Sequence, residues 1–190
     1  MEALSCRKTW EKMMEVSESG LVYNFHQLID MENFLVETEL FDAKTLDIYS
    51  RWNLGAVVTE DEKKAFSPEK GGQQGNYRHG MPSKIQNVID CLNRFPKSKR
   101  AVITISNNPL SQHELDADAK CMREIHFRLD KGSNTLHGTV FFRAQSATIF
   151  PKNIHFIGCL LQKIAQGLSS QPKIGTVFYL TSVLAGERHD

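Results

Sequence analysis

The sequence has no long apolar run and almost no surplus of one charge, and each absence excludes a class of protein. No stretch approaches the roughly 20 apolar residues that a membrane-spanning helix needs, and the first residues lack the apolar core of a signal peptide. The net charge is +1, whereas nonspecific nucleic-acid binding normally shows as a basic excess. We therefore expect a protein that engages neither a membrane nor nucleic acid.

Cysteine is also sparse, and its spacing excludes the common metal sites. The four cysteines are scattered, with no CxxC pair and no Cys/His set at zinc spacing, so no metal is predicted. Because the chain shows no secretion signal, we expect its thiols to stay reduced in the cytoplasm. Most of them are predicted to be small buried hydrophobic residues.

Length and hydrophobic content favour one globular domain. The chain has 190 residues, of which 41% are hydrophobic, and a chain of this size builds a core without a metal or a disulfide. We therefore treat residues 1–190 as a single domain. Residues 59–83 are polar, with a glycine pair and two prolines, and this composition predicts a long loop. Such loops are binding elements or disordered segments in many compact domains.

Hydrophobic periodicity predicts a mixture of helices and strands. Apolar residues at helical spacing predict helices over 7–18, 43–52, 85–92 and 151–168. Alternating or continuous apolar residues predict strands over 31–40, 101–105, 121–129, 136–143 and 174–181. The turn at 130–134 joins two of these strands into an antiparallel hairpin. Helices mixed with strands around a hairpin indicate an α+β fold.

Several polar side chains next to the predicted strands have two interpretations each. Cys121 opens a strand, where it is either a structural thiol or a nucleophile that needs a nearby cation. Arg143 ends the next strand, where it is either a solvated charge or a clamp for a phosphate. Lys99 and Arg100 precede a strand, where they are either solvated charges or the cations that a Cys121 thiolate needs. Asn153 either caps a helix or contacts a base edge through its amide.

The order of the segments is more specific than any one of them. In chain order they are GNYRHG, SKIQNVIDCLNRFPKSKRAVITI, KCMREIHF, LHGTVFFRAQSATIFPKNIHF and GCLLQKIAQ. This succession, over about half of the chain, resembles the thymidylate synthase family, including its pyrimidine nucleotide hydroxymethylase branch. The resemblance implies a thymidylate synthase-like α+β fold, in which helices pack on a mixed or antiparallel sheet. It also implies a homodimer formed through a sheet face.

The resemblance implies a role for each matching residue. Cys121 would be the nucleophile that adds to carbon 6 of a pyrimidine, so that carbon 5 attacks a one-carbon unit. Arg143 would hold the nucleotide phosphate close to Cys121 and favour its thiolate. Lys99 and Arg100 would reach across the dimer to the partner's phosphate. Asn153 would contact the base and help to choose between uracil and cytosine.

Further positions are implied more loosely. Tyr77 and Arg78 match the loop that precedes a helix in this family, and Ser146 offers a hydroxyl near the nucleotide. His126, which alone is a surface histidine on the polar side of its strand, occupies a position in the dimer-facing sheet. The implied ligands are a pyrimidine nucleoside monophosphate and, as the one-carbon donor, methylene-tetrahydrofolate.

The chain also departs from the family pattern. The family's Arg-Ser-x-Asp is Arg143, Ala144, Gln145 and Ser146 here, so that a phosphate-binding serine and a carboxylate are replaced. The family's carboxy-terminal His-x-Tyr and folate lid have no match in SVLAGERHD. Two further hypotheses therefore stay open beside the enzyme. One is a nucleotide-binding relative without catalysis, and the other is a dimeric interaction protein that keeps the fold.

Overall fold

A mixed β-sheet lies at the centre of the computed structural model, which describes residues 2–66, 75–105 and 120–186. In this part of the chain the strands are β1 (Leu4–Ser5), β2 (Val22–Asp30), β3 (Val102–Thr104), β4 (Met122–Asp130), β5 (Thr135–Phe142), β6 (Gln145–Ser146) and β7 (Lys173–Ala185). Their order is β1-β2-β7-β5-β4-β3, and β6 pairs with β7. The predicted hairpin is the antiparallel β4–β5 pair, whereas β5 and β7 run parallel.

Helices cover one face of this sheet. In the described residues they are α1 (Cys6–Ser17), α2 (Ala43–Asn53), α3 (Glu60–Lys63), α4 (Met81–Arg94) and α5 (Phe150–Gly167). Helix α5 is buried almost throughout its first half. It approaches the sheet at Gly138, where an added Cβ would lie 3.8 Å from Leu161 of α5. The predicted α+β class is therefore confirmed. No helix in the described ranges is long and apolar enough to cross a membrane.

The strand predicted over 31–40 is wrong. That segment is irregular, and the strand of this region is β2, which pairs with β7 from Val22 to Asp30. The alternation in 31–40 has another cause, because Val36 is buried in the core and the ring of Phe34 packs on Gly158 of α5. Alternation shows which side chains point inward, and it does not show whether the backbone has a neighbouring strand.

The polar stretch 59–83 contains helical residues at both ends of its described part. Thr59 and Glu62 form a capping box at the start of α3. Helix α4 begins at Met81 rather than at residue 85, because Pro82 suits the first helical turn. Residues 67–74 of this stretch lie outside the described ranges.

A buried histidine links α2 to α5. The Nδ1 atom of His155 lies 2.7 Å from the hydroxyl of Ser50 and 3.8 Å from the thiol of Cys159. The imidazole is 8% exposed and meets the ring of Phe34 edge-on. Burial lowers the pKa of His155, against smaller opposing effects of Asp47 and the Leu46 backbone. The neutral ring is therefore the form that this interface accommodates.

We predict that stability falls in mild acid because of His155. Its pKa in the folded state lies below the ordinary value of 6.5, so below that pH the unfolded state binds more protons. The free energy of unfolding should therefore fall as the pH drops from about 6.5, by up to about 1.4 kcal/mol per pH unit for one proton. Urea denaturation at several pH values measures this.

The matched variant is His155→Phe, which lacks this titration. The pKa of His137 is also lowered, first by burial, and its contribution remains in both proteins. The difference between their pH slopes therefore isolates His155. Equal slopes in the wild type and the variant would contradict the prediction.

Candidate functional site

Cys121 and Arg143 lie side by side where the β4–β5 hairpin opens. Cys121 directly precedes β4, and Arg143 directly follows β5. Because the strands are antiparallel, the start of one meets the end of the other. The backbone N–H of Arg143 donates to the carbonyl of Cys121 at 2.8 Å. The thiol is half-buried and the arginine is exposed, so the backbones of a cysteine and an arginine are adjacent at this end of the sheet.

Three buried tyrosines lie close enough to the thiol for its charge to act on their hydroxyls. Burial raises the pKa of Tyr49, Tyr77 and Tyr179, and the charge that Cys121 would carry raises each further. Tyr77 also hydrogen bonds with the backbone of Met122, and the positive charge of Arg143 acts on it. All three hydroxyls are therefore neutral at physiological pH and available only as hydrogen-bonding groups.

The position of Tyr77 is fixed from the carboxyl end of α2. The side-chain oxygen of Asn53 accepts the backbone N–H of Tyr77 at 2.6 Å, and its amide nitrogen donates to the carbonyl of Tyr49 at 3.1 Å. The Tyr49 hydroxyl in turn donates to the carbonyl of Gly75 at 2.8 Å. Gly75 has a positive φ, and an added Cβ there would lie 2.6 Å from that hydroxyl. The loop before Tyr77 is thus held against the site.

The buried side-chain amides of Asn153 and Gln145 form a hydrogen-bonded network with Tyr179. The amide nitrogen of Asn153 donates to Gln145 Oε1 at 2.9 Å, and the hydroxyl of Tyr179 donates to the same oxygen at 2.6 Å. Gln145 Nε2 donates to the carbonyl of Ser146 at 2.6 Å. The side-chain oxygen of Asn153 is buried and has no hydrogen-bond partner among the described residues. It is an acceptor left open for a ligand or a water molecule.

The interpretation of Asn153 as a helix cap is wrong. Residue Ile149 occupies the N-cap of α5 and makes no side-chain cap bond, while Asn153 lies inside the first turn. Its amide points to β6 instead, because Gln145 offers a buried acceptor there.

Two other predicted positions have partners outside the group around Cys121. The hydroxyl of Ser146 lies 2.7 Å from that of Thr148 and donates to the carbonyl of Gly186 at 3.4 Å. The guanidinium of Arg78 lies 5.5 Å from the ring centroid of Trp52. Tyr77 therefore contacts the backbone next to Cys121, at Met122, whereas the side chain of Arg78 packs on Trp52 of α2.

Lys99 and Arg100 lie at the far end of β4 from the thiol. The carbonyl of Ala101 accepts the N–H of Phe127 at 2.8 Å. Phe127 is six residues beyond Cys121, and at about 3.4 Å per residue this gives a separation of about 20 Å. Both basic residues are exposed. Within one chain they do not join the group around Cys121.

His126 lies on the sheet face that no described helix covers. It pairs with Val102 of β3 and Thr139 of β5, and its neighbours Ile125 and Phe127 are fully buried on the opposite, helix-covered face. The Nε2 atom of His126 is buried without a hydrogen-bond partner in the described ranges.

Sequence reasoning missed the residues that complete the site. Gln145 and Tyr179 are paired only by the fold, because β6 and β7 are remote in sequence and adjacent in the sheet. Lys152 was also missed; it is 3% exposed, and its Nζ lies 4.6 Å from the ring centroid of Tyr49. A tyrosine on the inward parity of a strand, like Tyr179 after Val177, is a usable signal because a buried hydroxyl needs a partner.

The part of the chain that the structure describes contains no candidate metal-binding site. No group of three or more His, Cys, Asp or Glu side chains there could hold a metal ion. The four cysteines are unpaired.

Solved structures share this fold. Thymidylate synthase from T4 phage matches with a TM-score of 0.66 at 14% identity, over 94% of this chain and 75% of that one. The thermostable thymidylate synthase A from Bacillus subtilis matches with a TM-score of 0.61 at 17% identity, over 95% of this chain and 79% of that one. No protein-family model and no curated protein matches the sequence. The chain therefore has a thymidylate synthase-like fold, which confirms the fold predicted from the resemblance.

Proposed function

We propose that this chain, on its thymidylate synthase-like fold, binds a pyrimidine nucleoside monophosphate and transfers a one-carbon unit to carbon 5 of the base. The observation that supports this most directly is the hydrogen bond from Arg143 N–H to the Cys121 carbonyl, 2.8 Å long. It holds the two backbones adjacent, which supports a thiol and a guanidinium that act on one ligand. The guanidinium suits a phosphate, and the thiol suits addition to an electron-poor ring carbon.

The proposed chemistry begins at Cys121. Its thiolate forms a bond to carbon 6, and the electron pair of the carbon 5–carbon 6 double bond moves toward carbon 5 and the oxygen or nitrogen at carbon 4. Carbon 5 then bonds to the donor's methylene carbon as one carbon–nitrogen bond of the donor breaks, and that nitrogen keeps the electron pair. Loss of the carbon 5 proton supplies the pair that expels the second nitrogen and leaves a methylene group on carbon 5. Water, which loses a proton, or a hydride from the released tetrahydrofolate adds to this methylene group, and the displaced pair re-forms the carbon 5–carbon 6 double bond and expels the thiolate. Arg143 holds the phosphate during these steps, and Asn153 contacts the base edge.

The one-carbon donor in this proposal is methylene-tetrahydrofolate, a co-substrate that accompanies the fold in the family. None of residues 2–66, 75–105 and 120–186 is assigned to it. The proposal is therefore tested below with the nucleotide alone. The free cysteines support a reducing, cytoplasmic setting.

We also propose a homodimer formed through the sheet face that no described helix covers. Four half-buried apolar side chains lie there on adjacent strands, namely Leu28, Phe141, Phe178 and Leu180. The ring nitrogen Nε2 of His126 lies on the same face, buried and without a hydrogen-bond partner among the described residues. A second copy would cover the apolar residues and offer this nitrogen a partner. Such a dimer would also let Lys99 and Arg100 act on the partner's phosphate, since they lie remote from Cys121 in their own chain.

A second candidate function is nucleotide binding without catalysis. It is favoured by Ala144 and Ser146, which stand where the family pattern has a phosphate-binding serine and a carboxylate. The hydroxyl of Ser146 lies 2.7 Å from that of Thr148 and supplies no negative charge. The two candidates differ in one property. Only the enzyme forms a bond between Cys121 and the pyrimidine.

We predict that the protein exchanges the hydrogen at carbon 5 of its nucleotide with solvent. Addition of the thiolate to carbon 6 allows a deuteron to bond to carbon 5, and reversal then removes the original proton. The signal of this hydrogen in dUMP or dCMP should therefore disappear in D₂O, as followed by proton NMR, without any one-carbon donor. Cys121→Ala should slow the exchange by more than about a hundredfold.

Cys91→Ala is the matched control, since this half-buried thiol of α4 donates only to Ser98 at 3.3 Å. It should exchange like the wild type. A wild type that binds a nucleotide but shows no exchange would reject the enzyme and leave the non-catalytic candidate. Exchange that survives in Cys121→Ala would reject the assigned nucleophile.

We predict a dimer in solution at micromolar concentration. Sedimentation velocity should give twice the chain mass of 21.6 kDa. Phe178→Asp places a charge at the centre of the proposed interface and should produce a monomer. Gln162→Asp, on the exposed side of α5, should remain a dimer. A monomeric wild type would contradict the dimer and the shared role of Lys99 and Arg100.

A further inference from the structure

The orientation of the Gln145 amide is determined by a backbone group. Its Nε2 lies 2.6 Å from the carbonyl of Ser146, which can only accept a hydrogen bond. If the amide were reversed, two oxygens would face each other in a residue that is 4% exposed, and that arrangement is costly. Gln145 therefore keeps its Oε1 directed toward Asn153 and Tyr179.

The orientation of Asn153 follows from that of Gln145. Since Oε1 can only accept, the group of Asn153 that lies 2.9 Å from it must be the amide nitrogen. The oxygen of Asn153 is consequently directed elsewhere. It is buried, in a side chain that is 4% exposed, and has no partner among the described residues.

We propose that Gln145 is a positioning residue that fixes which end of the Asn153 amide meets the base, and that it thereby sets the choice between uracil and cytosine. This inference rests on the proposed function and deepens it. Gln145 itself does not touch the base. It acts through Asn153, and the anchor of the whole arrangement is the Ser146 carbonyl.

The chemistry of the two bases explains why a fixed amide discriminates. Uracil carries a donor at position 3 and an acceptor at position 4, whereas cytosine carries an acceptor at position 3 and a donor at position 4. Each order matches an amide in one orientation and opposes it in the other. An amide that cannot turn therefore favours one base, while an amide that is free to turn through 180° accommodates both.

The test is the ratio of the dissociation constants for dUMP and dCMP, measured by calorimetry and repeated with UMP and CMP. In the wild type the two bases should differ by at least about tenfold. Gln145→Met has a similar volume but no amide, so it should bring the ratio to within about threefold of one. Gln145→Leu is the second variant and carries the same expectation if Gln145→Met does not fold.

Tyr179→Phe is the matched control. It removes the 2.6 Å bond from the tyrosine hydroxyl to Gln145 at a site that is equally buried, but it leaves the Ser146 anchor in place. In Tyr179→Phe the dissociation constants for dUMP and dCMP should change by the same factor, so that their ratio stays at the wild-type value. A purely structural role for Gln145 would change both constants in the apolar variants without changing their ratio.

The outcomes separate this inference from the function on which it rests. A wild type that binds neither base rejects the proposed function and this inference with it. A wild type that discriminates, together with apolar variants that keep the ratio, overturns only the role of Gln145. A wild type whose dissociation constants for the two bases are nearly equal also overturns the role of Gln145. Loss of discrimination in the apolar variants but not in Tyr179→Phe supports it.

Discussion

The register between β4 and β5 is the constraint on which the candidate site depends. This register includes the hydrogen bond from Arg143 N–H to the Cys121 carbonyl. The register shifts next to that bond, between Met122 and Glu124. A slip of one residue would turn every side chain of a strand to the opposite face, and so would exchange the core residues with the polar ones. Burial of Ile125 and Phe127 against the helices prevents this slip. The packing of the core therefore also holds the backbone of Cys121 beside that of Arg143.

The polar groups around the thiol are almost completely satisfied by one another. Asn53 orders the backbone at Tyr77, and the Ser146 carbonyl orders Gln145 and through it Asn153. Buried polar networks of this kind are rigid when satisfied and costly when they are not. The unpartnered oxygen of Asn153 stands out for that reason. A ligand that supplies a donor there completes the network, which connects the fold's stability with the proposed selectivity.

The sequence predicts most of this fold, because strongly periodic segments reveal their buried faces. Helix α5 and the β4–β5 hairpin are clear examples, and both lie close to their predicted bounds. The strand at 31–40 was wrong because Phe34 and Val36 point inward from an irregular backbone. Of the candidate site, the order of segments in the sequence points to Cys121, Arg143, Tyr77 and Asn153, and their roles stay predictions. It does not point to Gln145, Tyr179 and Lys152, because their partners are set by strand order and helix packing rather than by local pattern.

The central claim is a nucleotide site built on Cys121 and Arg143, and a thermal-shift titration with dUMP, dCMP, UMP and CMP tests it most directly. A ligand that binds only the folded state adds about 2.7 kcal/mol of stability at a hundredfold excess over its dissociation constant. We expect a shift from at least one nucleotide that is lost in Arg143→Ala and kept in Cys121→Ala and in Arg128→Ala, an exposed arginine elsewhere on β4. No shift from any of the four, or a shift that Arg143→Ala leaves intact, would contradict the account.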